Sequence, residues 1–268
     1  MNLIKRTLTA AILLGAVFVL IQYAPNWAFF LFGLAFLLAA LRAFYNLMEK
    51  KGLAPQKALG AVLAALVLLT FFVPAFPLDA ALMASILLAG VYYVAATNST
   101  AKLDRFPGSF ASTLVGIFYI AFPLSFLFRV RVEAGPYYLY FLAAIVFLGD
   151  TGAFLVGKPL GRHKMTPIAS PNKSWEGSAG GFLFAAAGAV LARFVLFPAL
   201  PLATAVLTGL VVHAAAQVSD PLESLFKRAV GVKDSSNSLP GHGGFLDRID
   251  SLILAGPLFY FIVRYLWK

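Results

Sequence analysis

The sequence predicts an all-α polytopic membrane protein with about nine transmembrane helices and two long cytoplasmic loops. Three observations predict it. Hydrophobic residues make up 61% of the 268 positions and charged residues only 12%, against about a quarter charged in a soluble domain. Long apolar runs such as Ala10–Ile21 and Leu59–Val73 recur along the chain, and each helical crossing of a bilayer needs about 20 mostly apolar residues. The basic residues, finally, fall overwhelmingly into alternate connections.

Spans are expected near residues 7–23, 27–47, 58–76, 79–97, 110–128, 136–156, 178–198, 200–218 and 250–266. The first follows Met1-Asn2-Leu3-Ile4-Lys5-Arg6, a start that resembles a signal peptide. Apolar character continues almost to Tyr23 with no A-x-A-like motif at its end, so a retained span is expected. Ala24-Pro25-Asn26 and Pro198-Ala199-Leu200-Pro201 are short enough to join neighbouring spans as antiparallel hairpins. With the N-terminus inside, the inner connections hold fifteen Lys and Arg and the outer ones four (Arg129, Arg131, Arg264, Lys268). Such a bias follows the positive-inside rule. It places the N-terminus in the cytoplasm of a cell (inner) membrane protein, and the C-terminus outside.

Net charge is +10. In a membrane chain that excess suits anionic headgroups or phosphate-bearing ligands rather than nucleic acid. There are no cysteines, which excludes disulfides, thiolate nucleophiles and thiolate metal sites. Residues 1–135 carry little ionisable chemistry within their spans and read as a scaffold of membrane helices. Residues 136–268 read as the catalytic region, because seven of the eleven acids fall in or beside two long polar loops, about 157–177 and 219–248. Loops of that kind in a compact architecture are usually functional.

Asp247-Arg248-Ile249-Asp250 places two carboxylates three residues apart, on one face if the segment is helical. Acids at a helix start also cap it and complement its dipole. Just upstream, His242-Gly243-Gly244 offers backbone N–H groups that can approach a phosphate closely. Ser219-Asp220-Pro221-Leu222-Glu223 reads as a helix start, with Asp220 as N-cap and Pro221 at the first helical position. If Asp220 and Asp247 meet, the pair suits a hard divalent ion, since magnesium takes one or two carboxylates plus substrate phosphates. Lys227, Arg228, Lys233 and Asp234 alternate charge in a way that suits a triphosphate with its metal. In the first loop, Asp150 follows an apolar run, where an acid is either functional or paired with Lys158 or Lys173. The Gly and Lys spacing there does not fit a P-loop. His213 lies inside an apolar span and reads as a helix-packing hydrogen-bonder.

The stretch from Ser224-Leu225-Phe226-Lys227-Arg228, through Lys233-Asp234, to Leu239-Pro240-Gly241-His242-Gly243-Gly244-Phe245-Leu246-Asp247-Arg248-Ile249-Asp250 resembles the signature of the phosphatidate cytidylyltransferase family. Ser170-Pro171-Asn172-Lys173-Ser174-Trp175-Glu176-Gly177 is similar to that family's S-P-K-K-T-W-E-G element, departing at Asn172 and Ser174. The resemblance implies cytidylyl transfer from CTP to phosphatidic acid, giving CDP-diacylglycerol and pyrophosphate for phospholipid biosynthesis. It implies Asp220, Asp247, Asp250 and Lys227 as catalytic residues. Magnesium would sit on Asp220 and Asp247 with Asp250 and Asp150 behind them, and the acid count accommodates a second cation. Substrate contacts would come from Ser170, Lys173, Ser174, Glu176, Arg228, Lys233, Asp234, His242, Gly243, Gly244 and Arg248. A homodimer is a further expectation of the family. Two other classes fit parts of the sequence: a CTP-using lipid kinase, which would release CDP, and a secondary transporter, for which matching halves with paired broken helices are not evident.

Overall fold

A computed structural model describes residues 15–73, 75–236 and 243–267. Residues 7–14 of the first expected span and His242 of the signature lie outside the described residues. The chain is helical apart from one short hairpin. In order, the elements are α1 (15–23), α2 (Asn26–Lys50), α3 (Lys57–Thr70), α4 (Leu78–Ala96), α5 (Thr100–Val115), α6 (Phe122–Arg129), α7 (Pro136–Leu160), β1 (Lys164–Thr166), β2 (Ser170–Ser174), α8 (Trp175–Leu196), α9 (Leu202–Arg228) and α10 (Asp250–Leu266). Two π-helical stretches, Gly116–Ala121 and Val130–Ala134, make one helical segment of Thr100–Ala134. Among the described residues, six helical segments are long and apolar enough to cross a membrane, and α3 is a shorter apolar helix. The architecture is that of a helical multi-pass membrane protein, as the apolar runs predict.

The described chain divides into two compact units. The first comprises the residues up to Val132 together with Asp234–Arg248, and the second comprises Glu133–Lys233 and Ile249–Lys268. Asp234–Arg248 thus belong with the N-terminal helices although they follow α9 in the chain.

In the first unit, the core forms around Tyr45 of α2. Its ring fills the space left by two glycines: a Cβ on Gly60 would stand 2.7 Å from ring atom Cε2, and one on Gly116 would stand 2.7 Å from Cζ. The Tyr45 hydroxyl donates to the Thr113 carbonyl at 2.9 Å. Tyr93 of α4 donates to the Ala54 carbonyl at 3.1 Å and lies 3.0 Å from Thr113 Oγ1. Buried polar side chains at membrane depth must find partners within the protein, and these tie α2, α4 and α5 together. Phe36 of α2 meets Phe245 edge to face, with ring centroids 5.0 Å apart.

In the second unit, α7 and α8 are packed backbone to backbone. A Cβ on Gly177 would stand 2.9 Å from the Ala153 carbonyl oxygen and 3.0 Å from Gly157 Cα. One on Gly188 would stand 2.8 Å from the Ala144 oxygen. Small residues permit such approach, which van der Waals contact then stabilises in a bilayer, where lipid tails are as apolar as leucine. At the far end from the acids, Trp267 packs edge to face on Phe141 (4.9 Å) and Phe259 (5.9 Å), and its Nε1 donates to Thr208 Oγ1 at 3.1 Å.

Three local expectations are corrected. Asp220-Pro221 does not begin a helix: α9 continues through both to Arg228, with Pro221 inside it. Packing of α9 against α8 and α10 carries the helix past the proline. Asp247 and Asp250 do not share a helix face, because Leu246–Arg248 form a 3-10 turn and α10 starts at Asp250. The loop near 157–177 contains the antiparallel hairpin β1–β2, with Lys164 opposite Ser174 and Thr166 opposite Ser170.

Candidate active site

The acids of the second unit converge where α7, α9 and α10 present them beside β2. Lys173 of β2 reaches Asp220 of α9, Nζ to Oδ2 2.8 Å, and both side chains are less than a third exposed. Ser251 Oγ lies 3.3 Å from Asp150 Oδ2 and 3.5 Å from Asp250 Oδ1, so one hydroxyl sits between carboxylates of α7 and α10. Asp150, Asp220 and Asp250 are close enough for their charges to repel, and Lys173 is close enough to offset that of Asp150. Three carboxylates, with Lys173 beside Asp220 and Asp150 and Lys227 near enough to act on Asp250, make an oxygen-rich, negatively charged cluster.

Backbone placement of this cluster depends on hydroxyls. Ser219, fully buried, donates its hydroxyl hydrogen to the Asp250 carbonyl and accepts from Leu254 N at 3.3 Å. In a regular helix those two backbone groups would bond each other. A hydroxyl from α9 thus bonds both of these backbone groups in the first turn of α10. One turn beyond Asp220, Glu223 and Lys227 form a buried ion pair, their side chains 0% and 8% exposed.

The first polar loop is held by its own residues. Ser174 is the N-cap of α8 and accepts from Gly177 N at 3.1 Å. Glu176 accepts from Arg162 N (3.1 Å), His163 N (3.2 Å) and His163 Nδ1 (2.6 Å). Trp175 N donates to the His163 carbonyl at 2.9 Å. These contacts close the base of the hairpin and set Lys173, one residue before the cap, at its place on Asp220. Ser170 lies at the other end of β2, paired with Thr166.

In the first unit, Asp247 organises the glycine-rich loop. Its Oδ2 accepts from Ser235 N (2.9 Å), Ser235 Oγ (2.6 Å) and Gly244 N (2.8 Å). Gly243 adopts φ +76°, a left-handed conformation that glycine takes at no steric cost. The Gly244 amide, which the sequence offers to a phosphate, is thus turned to the protein's own carboxylate. Asp234 and Arg248 of this unit are exposed, as are Arg228 and Lys233 of the second. Arg228 Nη1 donates to the Val232 carbonyl at 3.0 Å.

The profile of the cytidylyltransferase family matches residues 4–266 of the chain. A phosphatidate cytidylyltransferase of Staphylococcus epidermidis is 31% identical over 258 residues, covering 94% of this chain and 96% of that one. The chain belongs to the cytidylyltransferase family. A phosphatidate cytidylyltransferase of Staphylococcus aureus is 40% identical over 169 residues, 62% of each chain. One of Bacillus subtilis is 38% identical over 153 residues, 56% of each.

Within this family member, the structure brings together Asp150, Asp220, Asp250 and Lys173 of the sequence-derived set. It gives Ser174, Glu176 and Asp247 hydrogen bonds that shape the chain around them. Sequence reasoning missed Ser219 and Ser251, single hydroxyls whose neighbours come from other helices. It also missed the Glu223–Lys227 pair, for which the four-residue spacing was the available signal.

Proposed function

We propose that the chain transfers the cytidylyl group of CTP to phosphatidic acid, releasing pyrophosphate and forming CDP-diacylglycerol at the cytoplasmic face of the membrane. The observation that carries this reading is the Lys173–Asp220 pair set among Asp150 and Asp250 in a chain of this family. The names of its relatives supply the substrate pair.

The chemistry asks little of a general base. A phosphate monoester has a second pKa near 6, by analogy with phosphoserine, so the attacking oxygen arrives deprotonated. It bonds to the α-phosphorus of CTP while the bond from that phosphorus to the pyrophosphate oxygen breaks. The obstacle is repulsion between two polyanions. Lys173 supplies positive charge where the phosphates would meet, and Arg228 and Lys233 lie exposed at the end of α9 and just beyond it.

A magnesium ion suits the donor set. The carboxylates are hard oxygen ligands, and among the described residues no group of three His, Asp or Glu forms a ready-made cage. An ion held by one or two carboxylates and completed by substrate phosphates fits that description. Asp220 and Asp250 would hold it, with Asp150 behind them, and it would neutralise phosphate charge and stabilise the leaving pyrophosphate. Asp247 enters this reading on the resemblance alone, as do a second cation and a homodimer.

The test is the purified protein in detergent with CTP, phosphatidic acid and magnesium, assayed for both products. CDP-diacylglycerol and pyrophosphate in equal amounts support the proposal. Release of CDP, with a phosphorylated lipid, would instead identify a CTP-dependent lipid kinase.

A further inference from the structure

Pro221 lies inside α9, next to Asp220. A proline has no N–H, so the carbonyl four residues earlier, that of Gln217, loses its helical donor and the helix is weakened there. The same residue anchors α9 to its neighbour. Gln217 is buried. Its Oε1 accepts from Ser178 Oγ of α8, and its Nε2 lies 3.1 Å from the Ser178 carbonyl oxygen and 2.8 Å from His213 Nε2. An amide NH2 only donates, so His213 Nε2 is the acceptor and its ring proton is assigned to Nδ1. Both hydrogens and the oxygen of the amide are then used. Gly181 makes room for the contact, because a Cβ there would stand 2.7 Å from Gln217 Nε2.

The position of this contact gives it a consequence. Ser178 follows Lys173 by five residues, and Gln217 precedes Asp220 by three, about 4.5 Å along the helix axis. The clamp therefore joins α8 to α9 at the level where the proline loosens α9, close to where β2, which leads into α8, and α9 bring Lys173 and Asp220 together. Deeper in the unit, α8 and α9 are packed through Gly209, Ala185 and Ala189, so the clamp is not what keeps the helices together. We infer that Ser178 and Gln217 are positioning residues, whose reciprocal hydrogen bonds hold the Lys173–Asp220 pair in register for nucleotidyl transfer. The inference rests on the proposed transferase reading and names residues that reading does not use.

Thr and Val have nearly the same shape and differ by the hydroxyl, so Ser178→Thr and Ser178→Val isolate the hydrogen bond from the added bulk. Initial rates of CDP-diacylglycerol formation and thermal midpoints in detergent are measured for both, for Gln217→Asn, whose shorter amide cannot span the same gap, and for the Ser178→Val/Gln217→Asn double variant. Turnover is expected to fall on the order of 10–100-fold in Ser178→Val and Gln217→Asn, as displacement by about 1 Å can produce. Ser178→Thr should stay within about threefold of Ser178 protein, and the double variant should be no slower than the worse single. Ser178→Val as active as Ser178→Thr overturns the clamp. So do losses that multiply in the double variant. If Ser178→Val fails to fold, Gln217→Asn decides: wild-type turnover in that variant overturns the clamp as well. A wild-type chain that makes no CDP-diacylglycerol overturns the transferase reading and the clamp with it, and is distinguished from failure of the clamp alone by the wild-type rate.

Discussion

Lys173 Nζ stands 2.8 Å from Asp220 Oδ2, so the cation and the acid singled out for opposite substrate duties are each other's partner. The lysine offsets the negative charge of Asp220 and Asp150, and in the proposed reaction it also serves an incoming phosphate. Lys173→Met should raise the KM for CTP at least about tenfold, the loss of a charge-assisted contact of about 1.5–3 kcal/mol. It should also lower the magnesium concentration for half-maximal rate, because the cluster becomes more negative. Titrating magnesium at saturating CTP checks this, and an unchanged magnesium requirement would separate Lys173 from the acids. Asp220→Asn should reduce turnover by at least about 100-fold, on the scale of a lost electrostatic group, with the thermal midpoint little changed.

Asp247 has a measurable task apart from any cation. Its carboxylate gathers Ser235 and Gly244, and Asn in its place would set an NH2 against N–H and O–H donors. Asp247→Asn is expected to abolish turnover and to speed tryptic cleavage at Lys233 and Arg248. Ser235→Ala, which removes only the hydroxyl bond, should leave most activity. Lost turnover with an unchanged cleavage rate would mean that Asp247 acts on substrate or cation rather than on the loop.

Glu223 and Lys227 are paired within the buried face of α9. Removing one partner strands the other charge, at a cost of about 3–5 kcal/mol. Lys227→Met should therefore lower the thermal midpoint sharply. Glu223→Gln combined with Lys227→Met should restore much of it, and if that double variant keeps turnover, Lys227 is structural rather than catalytic.

At the α7–α8 contact, Gly177→Val would drive a branched side chain against the Ala153 carbonyl and Gly157. Overpacking of this kind costs about 1–3 kcal/mol. The expected outcome is a lowered thermal midpoint with partial loss of turnover, since the same turn carries the Ser174 cap. A midpoint equal to the parent's would show that α7 and α8 can part without penalty.

The helices were legible because a bilayer imposes a length and a composition that apolar runs display directly. What the residues do at their ends was less so. Asp220-Pro221-Leu222-Glu223 has the local chemistry of a helix start, yet tertiary packing carries α9 through it. Local preference is worth about a kilocalorie per cap, less than the burial of a helical face. Asp247 and Asp250 fit one helix face by spacing, but the chain turns once between them. Asp150, Asp220 and Asp250 were identifiable as acids at apolar boundaries and Lys173 as a cation of the first polar loop, whereas Ser219, Ser178, Gln217 and Ser251 were not. Their importance lies in partners 30 to 100 positions away, and single hydroxyls or amides in an apolar run have no periodicity to betray them.

Phe245 packs edge to face against Phe36, and the glycine-rich stretch around Asp247 is built into the same body as α2 to α6. A fragment beginning at residue 136 would contain every signature residue and still lack the wall on which half of the signature is mounted. Separately expressed halves should therefore regain CDP-diacylglycerol synthesis only when produced together.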